Sequence, residues 1–441
     1  MSQTVLPNSI NYNEQLPSLS PNVQNFTQVL APVNGSVFSQ NSSIIFDLPS
    51  RGFIDPQSIY IRYKMTVGVT ADVAAGAFNI PGCPVFTPFS RVDTYINSQM
   101  IETIQDYNVV AHSWSNLFLG VNEKYGNQYG FGYVSSDVTG LMSNVDGRFL
   151  PIIAAISVPV ANQYSYTVSA PLVCTKLTSC EKMIPAFCTG GIRIILTIDS
   201  WLNILSSIAS LSLANTNISQ MELVYDMIDF GQEVENSILS QPSIMIKTNG
   251  YANSSVTIPI GTTGTNTLVY NQRFASIRSA IVMGAGVTGG ARTVNGKFDS
   301  VDVTNGGFYS LNVGGVQFPQ GGAISFTNNK AGAMSELRKA TGNLYDWSKS
   351  MSINSIEFGL TEIDTTTLIS PGKCYVGFDL NKINSSSKNM LNGTSSQNSP
   401  INLTLNIVTA ISNAAKNVYL LLNYDCVFII DPRTKMITMN Q

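Results

Sequence analysis

Charge is the first thing this chain lacks. Across 441 residues, Asp, Glu, Lys and Arg make up 12%, about half of the 25% usual in soluble globular proteins. A net charge of −3 supplies no basic stripe with which to neutralise a phosphate backbone. Local basic excess is confined to Arg278–Arg292 and Lys330–Lys349, and neither run is dense. Direct binding of nucleic acid is therefore not expected.

Histidine is scarcer still, since His112 is the only one. Any Ser-His or Cys-His catalytic arrangement must use it, and no G-x-S-x-G elbow is present. It falls beside Ser113 and Ser115 on the polar side of a predicted helix, which reads as an ordinary surface or loop contact. The six cysteines (Cys83, Cys174, Cys180, Cys188, Cys374 and Cys426) include no C-x-x-C pair, and Cys174, Cys180 and Cys188 are too widely spaced for a zinc knuckle. Free thiols in an intracellular protein are the expectation. No run of about eighteen apolar residues occurs; the longest, Phe149–Ala161, is broken by Pro151 and Pro159. The stretch MSQTVLPNSINYNEQLPS has neither the basic nor the apolar region of a secretory signal.

What is present is a polar, weakly charged surface built from Asn, Ser, Thr, Gln and Gly. It suits a chain whose sides are covered by neighbours, because charge is depleted at the cores of stable interfaces. It equally suits a β protein that is simply rich in these residues. The clearest signal lies in Ile401–Asp431. Ile401, Leu403, Leu405 and Ile407 alternate with Asn402, Thr404 and Asn406, the period of a half-buried strand. Tyr419–Ile430 is nearly continuous apolar sequence, as expected of a strand buried on both faces. A weaker copy comes earlier: Ile192, Ile194, Leu196 and Ile198 alternate with polar residues, followed by Met221–Phe230. Tyr225-Asp226 recurs as Tyr424-Asp425, 199 residues on (225 to 424). One β-fold is used twice.

Along the chain, residues 1–34 read as an extended arm. Ser43–Pro49, Ser58–Val67 and Arg91–Asn97 read as strands. A helix is predicted from Ile101, Ile104, Tyr107, Val110, Trp114 and Leu117, and a second over Gly332–Trp347. Trp201–Ala214 reads as a short helix joining the first strand pair. The first unit is expected over 35–232, a linker over 233–241, and the second unit over 242–441, opening with strands Ser243–Lys247 and Ser254–Ile260. Residues 120–165, 284–307 and 381–400 read as long loops. Many short antiparallel strands in each half predict an all-β chain of two tandem eight-stranded jelly rolls with short inserted helices.

Catalytic motifs give little. Gly284, Gly286 and Gly289 match G-x-G-x-x-G after an apolar strand, but the following sequence is poor helix and no βαβ unit surrounds it. Gly290 to Gly296-Lys297 has one residue too many for a P-loop. Asp199, Asp226, Asp229 and Asp379 sit at strand ends where carboxylates of a hydrolase pair could meet; turn formation is the plainer reading. No catalytic, cofactor-binding or metal-ligating residue is assigned, and the chain is not expected to be an enzyme.

From about residue 35 onwards the chain resembles the double jelly-roll major capsid proteins of adenovirus-type viruses, membrane-containing phages, virophages, polinton-like and giant viruses. The resemblance is carried by FIDPQSIYIRYK (53–64), GGIRIILTIDS (190–200), ISQMELVYDMIDF (218–230), FYSLNVGGVQFPQ (308–320) before AMSELRKATGN (333–343), CYVGFDLNK (374–382) and the closing strand pair. It implies a structural shell protein that self-assembles as pseudo-hexagonal homotrimers in an icosahedral virion. It also implies minor capsid or penton partners, no cofactor, outward loops among 120–165, 284–307 and 381–400, and an arm beneath the shell. The resemblance also allows an internal membrane beneath the shell, and no transmembrane segment is expected in this chain. A two-domain β-sandwich binding carbohydrate or a receptor is the alternative, and a β-sandwich hydrolase a third reading.

Overall fold

The structure, a computed structural model, describes residues 23–69, 78–79, 83–120, 123–124, 130, 163–207, 211–286, 298, 300–344, 350–353, 358–359, 373–383, 391–411 and 415–441. Sixteen strands carry the fold. In the first half they are β1 (Gln24–Leu30), β2 (Ser43–Leu48), β3 (Tyr60–Val69), β4 (Phe89–Ile96), β5 (Gln99–Gln105), β6 (Gln163–Pro171), β7 (Ile192–Ile198) and β8 (Leu211–Asp229). The second half has β9 (Ile244–Ile258), β10 (Gly264–Tyr270), β11 (Ile277–Gly286), β12 (Phe308–Val313), β13 (Val316–Phe318), β14 (Tyr375–Asp379), β15 (Ile401–Ile407) and β16 (Lys416–Ile430). Three helices matter here: α1 (Tyr107–Phe118), α2 (Gln232–Leu239) and α3 (Lys330–Ala340).

Hydrogen bonding orders the first eight strands as β1-β8-β3-β6 and β2-β7-β4-β5, with short strands extending the larger sheet. The second eight repeat it term for term, as β9-β16-β11-β14 and β10-β15-β12-β13. Every described pairing between these strands is antiparallel. In each half a helix, α1 or α3, follows the fifth strand and precedes the sixth. Two tandem eight-stranded jelly rolls result, as the alternation predicted.

Alternation is what places the strands. In β15 the burial runs buried, half-buried, buried from Ile401 to Ile407, so Ile401, Leu403, Leu405 and Ile407 fill the core between sheets. β16 is buried at ten of its fifteen residues and half-buried at the others. β9 approaches it so closely at Gly250 that an added Cβ would lie 2.4 Å from the Tyr424 ring. That ring stacks on Phe274 at 3.9 Å between centroids. The polar stretch through Asn249 and Gly250 hides this continuity in the sequence: β9 is one strand across both predicted pieces, paired with β16 throughout.

Four expectations are corrected. The arm expected over 1–34 contains β1, which pairs with β8 from Gln24↔Asp229 to Leu30↔Leu223; as a largely exposed edge strand it carries little core pattern. Residues 1–22 lie outside the described residues. Ile101 and Ile104 belong to strand β5, not to the helix. The register of β4 with β5 shifts between Thr94 and Tyr95, so Ile101 and Glu102 are both buried and the apolar spacing imitates a helix. The stretch 233–241 is mostly the helix α2, begun at Gly231 with φ of +87°. Among its described residues, Trp201–Ala214 holds one helical turn, Trp201–Ile204, before β8 begins at Leu211. Most of 120–165, and parts of 284–307 and 381–400, lie outside the described residues.

Candidate functional site: the junction between the jelly rolls

The place where the two jelly rolls meet is built around α1. Ten of its twelve residues are buried, because one side rests on its own core and the other on the β9-β16-β11-β14 sheet. Ser113 Oγ reaches Met283 Sδ of β11 at 3.1 Å. Asn116 Nδ2 donates to the Tyr375 hydroxyl of β14 at 2.9 Å and lies 3.0 Å from His112 Nε2. Its Oδ1 accepts from Lys124 Nζ at 2.6 Å. The chain beyond α3 closes over the top: Ser352 N donates to Asn116 O at 3.0 Å, and Asn343 Nδ2 to Leu117 O at 3.2 Å. Lys373 Nζ in turn donates to Ser352 O at 2.8 Å.

This environment fixes the state of His112. Burial pushes its pKa down to about 3, helped by the nearby Lys124 and Lys373 cations. A neutral imidazole edge-on to Phe298 is a packing group held by polar contacts to Asn116 and the Phe298 backbone. The surface position expected for it is corrected: the face of α1 that looks solvated in the sequence is covered by the other jelly roll, which no local pattern announces.

A second cluster lies at the other end of the seam. Glu102 of β5 is buried, and burial raises its pKa to about 8 against the opposing pull of Lys176. Its Oε2 accepts from Lys176 N at 2.8 Å. Lys176 Nζ donates to Ile101 O at 2.9 Å and to Gln441 Oε1 at 2.6 Å, with the Tyr424 ring 5.4 Å away. Thr248 Oγ1 of β9 donates to Lys176 O, and Glu181 N donates to Lys247 O at 3.1 Å. The strand Ile437–Asn440 pairs with β16, and the turn before it touches the first jelly roll where Asn97 Nδ2 donates to Lys435 O at 3.1 Å.

The residues weighed for catalysis are engaged locally. Asp199 accepts from Asn108 Nδ2 and Asn203 Nδ2, each at 2.9 Å. Asp226 accepts from Thr27 Oγ1 at 2.7 Å, Asp229 from Gly231 N at 2.8 Å, and Asp379 from Asn381 Nδ2 at 2.8 Å. Gly284 and Gly286 lie within β11. A Cβ on Gly284 would meet Val303 Cγ1 at 2.2 Å, so that glycine admits the neighbouring segment that bridges to it at Val301, not a phosphate. Gly289 is outside the described residues. The six cysteines are all buried with free thiols. Among the described residues no cluster of three or more His, Cys, Asp or Glu could hold a metal, and no helix is long and apolar enough to cross a membrane.

The topology and the junction define the class as the double jelly-roll fold. No family model matches the sequence, and no curated protein sequence matches it significantly. Solved structures do. The chain is similar to VP54 of the virus PBCV-1, as fitted into a reconstruction of the virophage Sputnik, with a TM-score of 0.58, 12% identity, and 98% of this chain and 99% of that one covered. It is also similar to the Faustovirus major capsid protein (TM-score 0.58, 10% identity, 96% and 92% covered) and to the mavirus major capsid protein (0.53, 12%, 100% and 96%). The fold of this chain is that of these capsid proteins along essentially its full length.

Proposed function

We propose that this chain is the major capsid protein of a double-stranded DNA virus, a structural protein of the virion and not an enzyme. Its unit of assembly is a homotrimer of pseudo-hexagonal outline, and such trimers tile an icosahedral shell. The observation that carries this reading is the term-for-term repeat of strand order in the two halves, combined with the full-length likeness to capsid proteins. A chain with two equivalent jelly rolls gives a trimer six similar edges, and six similar edges fill a hexagonal lattice. A chain with only 12% charged residues lets those edges come together without desolvating many ions.

In this reading residues 120–165, 284–307 and 381–400 supply outward loops or contacts between subunits, and the segment before β1 lies beneath the shell. Minor capsid or penton proteins fill the positions that a six-sided tile cannot. The genome is not contacted directly, and any membrane lies under the shell without being entered by this chain. Size-exclusion chromatography with light scattering, followed by negative-stain imaging, tests the proposal. Stable trimers with a six-sided outline are expected. A monomer at all concentrations, or a monomer that binds glycans, overturns it.

A further inference from the structure

The strand Ile437–Asn440 straps the second jelly roll to the first, and one ammonium holds its far end. The strand pairs with β16 from Ile430↔Ile437 to Val427↔Asn440, and that is its one described pairing. The turn before it rests on Asn97. At the other end Lys176 Nζ donates to Gln441 Oε1 at 2.6 Å and stands 3.8 Å from Met439 Sδ. The same ammonium donates to Ile101 O at 2.9 Å, while Lys176 N donates to Glu102 Oε2 at 2.8 Å. Lys176 thus grips residues 101 and 102 with both backbone and side chain. The remaining carboxyl oxygen, Glu102 Oε1, is buried without a hydrogen-bond partner. A neutral acid tolerates that position, whereas a carboxylate there needs a charged donor. The cation whose field reaches Glu102 is the one that holds the strap.

We propose that ionisation of Glu102 draws Lys176 Nζ from Gln441 Oε1 to Glu102 Oε1 and releases the far end of the strap, loosening the seam in alkaline solution. The other described groups around Glu102 leave it to act alone. Burial pushes Tyr107, Cys174, Cys180, Tyr424 and Cys426 above their ordinary values, Cys180 to about 12, so all five stay neutral near pH 8. Asp425 lies between Tyr424 and Cys426 in β16 and so points to the opposite face, where Lys247 and Arg278 attend it at 3.9 and 4.0 Å. Asp93, on the strand beside Glu102, is taken by Arg91 and Thr103. Glu181, Lys182 and Lys435 are exposed and screened by water. A four-residue edge strand has little stability of its own, so losing the Lys176 anchor frays it. The inference holds whether or not the chain builds a shell.

Hydrogen exchange of the amides of residues 437–441 in the full chain tests this, measured at about pH 7 and about pH 9 and normalised to the free peptide at each pH. Protection should fall on the order of tenfold in the natural protein and stay level in Glu102→Gln, whose amide takes no charge. Gln441→Glu changes an exposed residue and gives Lys176 a carboxylate to hold at both pH values, so the strap should stay protected at about pH 9. If Glu102→Gln does not fold, that second variant decides alone. Level protection in the natural protein overturns the switch. An equal fall in Glu102→Gln assigns the response to another group and overturns it too. A fall in Gln441→Glu as large as in the natural protein shows that Lys176 is not what holds the strap, with the same consequence.

Discussion

Asp226 and Asp425 occupy the same place in the two jelly rolls, each opposite a serine at the entrance to the third strand of its unit. Asp226 N donates to Ser58 Oγ at 2.8 Å, and Asp425 N donates to Ser276 O at 2.9 Å, with Ser276 Oγ returning a bond to Asp425 Oδ2 at 2.7 Å. Their surroundings differ. Asp425 is 1% exposed, accepts also from Asn392 N at 3.1 Å, and has Lys247 and Arg278 at 3.9 and 4.0 Å. Asp226 is half-buried. Asp425→Ala should therefore cost roughly 3 kcal/mol by leaving buried donors without an acceptor, against about 1 kcal/mol for Asp226→Ala. Urea denaturation of both variants checks the ranking, and equal losses would contradict it.

The amide of Asn116 ties α1 to the second jelly roll. Asn116→Ala removes its bonds to Tyr375, His112 and Lys124 from a buried site, and a loss of about 2 kcal/mol is expected. Tyr375→Phe removes one of the same bonds, so the double variant should show a coupling on the order of 1 kcal/mol. Strictly additive losses would mean that the two side chains do not cooperate across the seam.

Glu102 makes stability depend on pH. Its folded pKa of about 8 lies above the ordinary carboxylate value of 4.5, so the folded state holds a proton that the unfolded chain gives up first. The stabilisation is fully present below about pH 4.5 and is lost as pH rises to about 8. The span corresponds to a few kcal/mol, on the order of 1.4 per pH unit. His112 acts in the opposite sense: with a folded pKa of about 3, it stays neutral while the unfolded imidazole gains a proton, and stability falls as pH drops from about 6.5. Because the two groups oppose each other between pH 4.5 and 6.5, melting temperatures of the natural protein should stay level there and decline from pH 6.5 to about 8, whereas in Glu102→Gln they should rise to pH 6.5 and then stay level. An unchanged slope in that variant would dismiss Glu102 as the source.

Gly250 is set by the Tyr424 ring. Gly250→Ala places a methyl group 2.4 Å from ring atoms that are already stacked on Phe274. A cost of about 1–3 kcal/mol from overpacking is expected. Pairing it with Tyr424→Leu should recover part of the loss, and chemical denaturation of the three variants decides.

Much of the fold can be read from single strands, and the junction cannot. β7 and β15 alternate because each has one face on a core and one outside, so period and burial coincide at every residue. β1 escapes such reading because an edge strand with four exposed residues at its start has no face to mark. β5 misleads because a bulge places two consecutive residues inward. Asn116 meets Tyr375 and Ser113 meets Met283 across more than a hundred positions, and Glu102 meets Lys176 from 74 positions away, while their types are those of an ordinary solvated helix or strand. The one trace in the sequence is β16: its nearly continuous apolar run means that something covers its outer face, without saying that α1 is the cover.

That sealed strand also bears on how the protein is made. During synthesis the first jelly roll leaves the ribosome complete, with α1 in place, before β16 has been translated. The later half thus condenses against a finished template. Exchanging the order of the halves would deliver the oily sheet first, with nothing yet built to receive it.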